Sequence, residues 1–226
     1  MRNKIAVILS LSFIFCFSYA QEQKEKTIIT GDEMLIKKKE ELTVVKGNGQ
    51  VVRGNKIIKA DTIIYSEKQN QIDANGNVKF FDTYDDGSKI KAVSENATYN
   101  TEKSDGELWG GNPVIEYNIK NSTDIIYLYA DNFYLDQGFQ SARAQSNVKI
   151  ITSSGTITSD NAKVSKNDNT LYMHKDINRP KIIAYQDDKY AEFESDELYL
   201  YYDKKTIKMD KDVKGKFIIN TPEGNK

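Results

Sequence analysis

Apolar and polar residues alternate along this chain with a period near two, and short polar breaks interrupt the alternation at similar intervals. The stretch from Ile57 to Phe81 shows the unit. An apolar run passes Asp61 and ends at Tyr65, a polar break covers Ser66–Asn70, and a second run passes Ile72 and Ala74. Gly76-Asn77-Val78 then leads to Phe80. A period of two is that of a strand, whose side chains point alternately to opposite faces. Asn75-Gly76 between two β-prone runs predicts a turn, because both residues tolerate positive φ. Asn48-Gly49, Asp86-Gly87, Asp105-Gly106 and Ser154-Gly155 read the same way.

With Asp61 as an anchor, equivalent carboxylates stand at Asp32, Glu95, Asp131, Asp160 and Asp196, spaced 29, 34, 36, 29 and 36 residues apart. The residue before each is small: Gly31, Ala60, Ser94, Ala130, Ser159 and Ser195. Positions three before, two after and four after are apolar or aromatic in all six copies, in a chain only 38% hydrophobic. Intervals of this size mark repeat architectures. The buried parity changes across the carboxylate, since −3 and −1 share one face and +2 and +4 share the other. This predicts a bend or bulge at each anchor, with the small residue permitting close backbone approach.

The relatives of Gly76-Asn77-Val78 are read as Gly49-Gln50-Val51, Gly111-Asn112-Pro113, Ser146-Asn147-Val148, Asn178-Arg179-Pro180 and Lys211-Asp212-Val213. Phe80, Ile115, Ile150 and Ile182 follow two positions later. Arg53 and Gly215 stand there in the first and last copies, which suits atypical terminal repeats. No segment shows helical periodicity, so the fold class is all-β.

Residues 1–20 read as a cleaved signal peptide: Arg2 and Lys4, then a mostly apolar run, then Ser18-Tyr19-Ala20 before Gln21. Cleavage removes the chain's one cysteine, Cys16, so neither disulfide nor thiol supports the fold and a hydrophobic core must. It also removes two of 32 basic residues and none of 33 acidic ones, moving the net charge from −1 to −3. That balance gives no nucleic-acid footprint. Residues 21–220 read as one domain, and 221–226 as a flexible tail.

No catalytic, cofactor or metal constellation is legible. His174 is the only histidine and has no partner by motif. One carboxylate per repeat suits bulge hydrogen bonding better than a glycosidase pair. Trp109 and the clustered tyrosines read as packing residues.

Lys59-Ala60-Asp61-Thr62-Ile63-Ile64-Tyr65, the polar break, and then Ala74-Asn75-Gly76-Asn77-Val78 resemble the repeat of the OstA-like lipopolysaccharide-transport family; Gly111-Asn112-Pro113-Val114 resembles a variant of the same element. The resemblance implies a twisted β-jelly roll, a folded-over stack of antiparallel strands with an apolar interior, and no enzymatic activity. It further implies a periplasmic lipid A-binding bridge between inner and outer membranes, which joins end to end and meets like-folded components at both membranes. On that reading the lipid-binding groove is lined by Ile63, Tyr65, Phe80, Ile115, Phe133, Leu135, Ile150, Ile182, Leu198 and Leu200. The competing expectations are a membrane-anchored partner of the same pathway and an exported β-helix acting on polysaccharide.

Overall fold

The computed structural model describes residues 26–118, 120, 123–136, 141–165, 168–186, 189–201, 204 and 206–219. The expected signal peptide and tail lie outside them. The described residues form eighteen strands, hydrogen-bonded throughout as one antiparallel sheet, and no helix occurs among them. Six strands are long: β3 (Leu42–Arg53), β4 (Lys56–Ser66), β5 (Gln71–Thr83), β6 (Lys89–Asn100), β11 (Ser141–Thr152) and β12 (Gly155–Ser165). The other twelve are short and form six end-to-end pairs: β1 (Thr27–Thr30) with β2 (Glu33–Lys37), β7 (Asp105–Trp109) with β8 (Val114–Asn118), and β9 (Ile125–Tyr129) with β10 (Asn132–Asp136). The remaining pairs are β13 (Thr170–His174) with β14 (Lys181–Gln186), β15 (Lys189–Glu194) with β16 (Glu197–Tyr201), and β17 (Thr206–Asp210) with β18 (Lys214–Ile219).

Six long strands and six pairs make twelve rungs. Each rung bends once near its middle, so the sheet folds over along a line of corners into two facing arms. Arm A carries β1, β8, β9, β14, β15, β18 and one half of each long strand; arm B carries β2, β7, β10, β13, β16, β17 and the other halves. The expected all-β, folded-over stack is therefore the observed architecture.

Two kinds of corner alternate along the fold. On one kind sits the anchor carboxylate. On the next, two successive residues adopt left-handed backbone: Gly47 and Asn48 (φ 68 and 48), Gly76 and Asn77 (76 and 49), Ser146 and Asn147 (62 and 56), Lys211 and Asp212 (59 and 47). Inside the long strands, these pairs stand opposite a single residue of the next rung. Gly47-Asn48 faces Asp61, Gly76-Asn77 faces Glu95, and Ser146-Asn147 faces Asp160, so each is a β-bulge of two residues against one. The anchor strand changes its interior parity across the corner, with Ile58 and Ala60 buried before it and Ile63 after, while the extra residue keeps one parity along the bulged strand, where Ala74 and Phe80 are both buried.

The carboxylate holds the bulge of its own repeat. Asn48 Nδ2 donates to Asp32 at 2.9 Å, Asn77 to Asp61 at 2.8 Å, Asn147 to Asp131 at 2.9 Å and Asn178 to Asp160 at 2.9 Å. The backbone adds to this: Asp32, Glu95, Asp131 and Asp196 N–H groups donate to the carbonyls of Gly47, Gly110, Ser146 and Lys211 at 2.9 to 3.0 Å. In the last copy the asparagine slot holds Asp212, which would oppose Asp196. Arg179 sits between them, with Nε 2.8 Å from Asp196 and its terminal nitrogen bonded to Asp212. The small residue before the anchor is buried in copies two to six, and Ser94 and Ser195 Oγ donate across the bend to the carbonyls of Asn96 and Glu197 at 2.8 and 2.7 Å.

These corners correct three sequence expectations. Asn75-Gly76 and Asn48-Gly49 are not hairpin turns; β5 and β3 run through them. Bulge and primed turn both demand left-handed Gly and Asn, so dipeptide chemistry alone does not separate them. Asp105-Gly106 starts β7, its turn being the preceding 101–104. The first-copy relative of Gly76-Asn77-Val78 is Gly47-Asn48-Gly49, two residues earlier than expected, so Val51 and not Arg53 fills the Phe80 slot. Asp86-Gly87 and Ser154-Gly155 are turns as expected, with Gly87 N–H donating to Tyr84 O at 2.8 Å.

Replacing Asn77 removes a charge-assisted hydrogen bond and, with alanine, adds left-handed strain. Asn77→Ala is expected to lose about 2–4 kcal/mol in urea unfolding, and Asn77→Gly less, because glycine restores the backbone freedom but not the bond. Asp160 tests the corner by pH. The Asn178 side-chain amide, then its backbone N–H and that of Ile177, hold the Asp160 carboxyl below the usual carboxylate range. A depressed folded pKa contributes stability that is complete above the unfolded value of about 3.9 and lost as pH falls through the folded one. Asp160→Asn is therefore expected to lower the urea midpoint at neutral pH and to converge on the parent as pH falls through the lowered folded pKa.

Candidate lipid-binding interior

The corner phase brings residues of opposite parity into one interior, and the strand register stacks them in rows across the rungs. In arm A one row runs Ile29, Val51, Ile58, Phe80, Ala92, Ile115, Leu128, Ile150, Ile157, Ile182, Phe193 and Gly215, each residue the direct cross-strand partner of the next. In arm B the row beside the corner runs from Met34 and Val45 through Ile63, Leu108, Phe133 and Met173 to Leu198 and Met209. A second arm B row starts at Ile36, passes Tyr65, Tyr99, Gly106, Leu135 and Leu171, and ends at Leu200 and Ile207.

All ten residues expected on the groove fall on these three rows. Phe80, Ile115, Ile150 and Ile182 belong to arm A. Ile63, Phe133 and Leu198 belong to the corner-side row of arm B, and Tyr65, Leu135 and Leu200 to its second row. Eight of them are 6% exposed or less, and Tyr65 and Leu200 pack against the same cluster. The arms meet directly: the Phe80 and Tyr99 rings, one from each arm, lie 6.4 Å apart. Between Phe80, Tyr99, Leu108 and Leu135 a void of about 20 Å³ remains, roughly room for one water. The interior rows of the two arms are thus in direct contact at this point.

Sequence reading missed the alternate members of each row, among them Val51, Ile58, Leu108, Ile157, Met173 and Leu171. Val51, Leu108, Met173 and Leu171 lie on rungs with no anchor carboxylate, and Ile58 and Ile157 lie three residues before an anchor, on the other arm from the residues that follow it. One signal is the bulge: counting three residues on from each left-handed pair gives Val51 as it gives Phe80. Gly215 closes the arm A row because the Phe193 ring occupies its side-chain space, 2.3 Å from where a Cβ would stand. Trp109 is outside the interior, in the outer row of arm B between Asn96 and Asn132.

Charge gathers at the rim. Asp82 is 5% exposed, and Lys56 Nζ lies 3.7 Å from it; Arg53 is the cross-strand partner of Lys56. Tyr84 is pushed above the usual phenol range, first by burial and then by the Asp82 charge, and so stays a protonated donor. The rim is polar and the rows behind it are apolar, the profile of an amphiphile site. No group of three or more metal-ligating side chains occurs among the described residues.

Residues 28–125 match the family described as LptA/(LptD N-terminal domain) LPS transport protein. No curated protein matches the chain in sequence. Among solved structures, the chain is similar to that of LptH, the LptA-homologous periplasmic component of the lipopolysaccharide transport device from Pseudomonas aeruginosa. Identity is 11%, coverage 72% of this chain and 95% of that one, and the TM-score 0.36. The family match falls on β1 to the start of β9, where the corner repeat is most regular. Residues 28–125, a little under half of the chain, are thus similar to the LptA/LptD N-terminal domain family of lipopolysaccharide-transport proteins, the OstA-like family that the repeat resembles.

Proposed function

We propose that this protein is a periplasmic carrier that holds the acyl chains of lipopolysaccharide between its two arms and bridges inner and outer membranes by end-to-end contact with like-folded components. One observation carries the reading: three largely apolar rows cross the rungs, and in arm B both end uncovered at the first rung and the second row ends uncovered at the last. Met34 and Ile36 are 46% and 59% exposed at the first rung, and Ile207 is 49% exposed at the last. A closed globular core would bury these row ends. A conduit leaves them for the next subunit, whose edge strand can add to the unpaired backbone.

The energetics favour a conduit over a pocket. Each methylene withdrawn from water contributes ~0.8 kcal/mol, so a multiply acylated lipid needs a long apolar surface. Opening the arms exposes interior rows to chains that re-cover them, and the hydrogen-bonded corners stay intact.

A photo-crosslinking residue at Phe133 is expected to capture lipopolysaccharide, and one at Lys163, on the outer face of arm B, to capture none. Equal capture from both sites would remove the interior assignment. Leu200→Asp, at a half-buried row position that tolerates the change better than the fully buried ones, is expected to lower lipopolysaccharide binding at least about tenfold, because the carboxylate must be desolvated beside acyl chains. Ile36→Asp is expected to shift end-to-end assemblies toward monomer in light scattering while lipid capture per subunit persists.

A further inference from the structure

The two outer faces of the folded sheet differ in chemistry. In arm A the outer rows are the partners of Gln50 and Val52 on successive rungs. Val52, Ile57 and Phe81 stand side by side on three adjacent strands, with Ile28 (48% exposed) before them. In the row beside them Lys59 and Lys79 are direct cross-strand partners, followed by Val93 (38% exposed), Val114 and Tyr129, and then Lys149. Across these two rows lie seven lysines and three glutamates.

All three glutamates are engaged by lysine: Glu116 by Lys91 at 3.2 Å, Glu192 by Lys181, and Glu194 by Lys214 at 3.8 Å. Lys59, Lys79 and Lys149 are exposed and form no ion pair among the described residues. The corresponding outer rows of arm B carry four basic and five acidic residues. A chain of net charge −1 thus concentrates an uncompensated positive field on one apolar face.

Like charges placed directly opposite on a sheet destabilise it unless something else compensates them, and Lys59 against Lys79 is such a pair. Lysine stems lie along apolar surface while the ammonium reaches outward, and tyrosine suits a boundary that is apolar on one side and wet on the other. A cationic face with an apolar stripe complements a lipid surface that presents anionic phosphates above hydrocarbon. We propose that the outer face of arm A docks this protein onto an anionic phospholipid bilayer, through Lys59, Lys79 and Lys149 around the Val52–Ile57–Phe81 stripe. The site is on the opposite side of the sheet from the interior rows and does not depend on their having a lipid cargo.

Vesicle co-sedimentation of the chain as purified from the exporting cell tests this. Phosphatidylcholine vesicles are compared with vesicles containing about one-third phosphatidylglycerol. The expected result is binding to the anionic vesicles only, weakened as salt rises. A lysine near such a surface is worth about fivefold in partitioning, so Lys59→Glu with Lys79→Glu is expected to lower it on the order of 25-fold or more. Lys163→Glu with Lys208→Glu on arm B is expected to change it little. Leu200→Asp is expected to leave vesicle binding intact while lipopolysaccharide binding falls, which separates the two surfaces. Absence of binding to anionic vesicles, or equal loss from the arm A and arm B pairs, would overturn the proposal.

Discussion

The hydrogen bond between an anchor carboxylate and a left-handed asparagine is the constraint on which the rest of the fold depends. A strand presents residues of one parity to one face, and a slip of one residue sends every side chain to the other side. Here the anchor strand changes parity at the corner and its bulged neighbour, with one extra residue, does not, so that Ile58 meets Phe80 on one arm and Ile63 meets Ala74 on the other, all four buried. Asp32, Asp61 and Asp131 each hold a left-handed asparagine, and Asp160 holds Asn178 through the same side-chain bond without a left-handed backbone. Where the asparagine is lost, at Asp212, Arg179 takes over and neutralises two carboxylates at once. The corner thus survives a change of chemistry, as expected if geometry at that point is what matters.

Much of this was legible in the sequence because the anchor carboxylate, its small neighbour and its apolar flanks are side-chain properties at fixed offsets. The all-β class and the ten residues expected to line a groove were read from those offsets, and the structure places all ten on the interior rows. The bend at each anchor was legible from the change of parity, but the residues that form the facing bulge were not. Gly76-Asn77 needs the same backbone as a two-residue hairpin, and only the continuation of β5 past it distinguishes the two. The first copy was read two residues late for a related reason: Gly47-Asn48-Gly49 offers two glycines, and the left-handed one is the earlier. On the rungs carrying Leu108 and Met173 the motif fixed the phase of arm A alone, through Ile115 and Ile182, so their arm B members emerged only from strand register.

The two sides of each arm then take different work from one backbone. Inward rows are apolar from the first rung to the last, and their exposed ends at Met34, Ile36 and Ile207 are open for continuation. Outward rows are free to diverge, which is why one face gathers unpaired lysines and the other balances its charges. The arms are joined by hydrogen bonds along the corners, and their interior faces meet through apolar contacts such as Phe80 with Tyr99. Apolar contact is non-directional, so acyl chains can replace it without leaving buried polar groups unpaired. Separation of the arms is therefore the motion the structure permits most readily.

Its direct test is the distance between spin labels at Asn55, in the turn that ends arm A, and Lys68, in the turn that ends arm B, measured by pulsed dipolar spectroscopy with and without lipopolysaccharide. Opening about the corners predicts a longer distance when lipid is bound, with labels placed along a single arm unchanged. An unaltered Asn55–Lys68 distance in lipid-loaded protein would contradict it, since the closed interior has no room for an acyl chain.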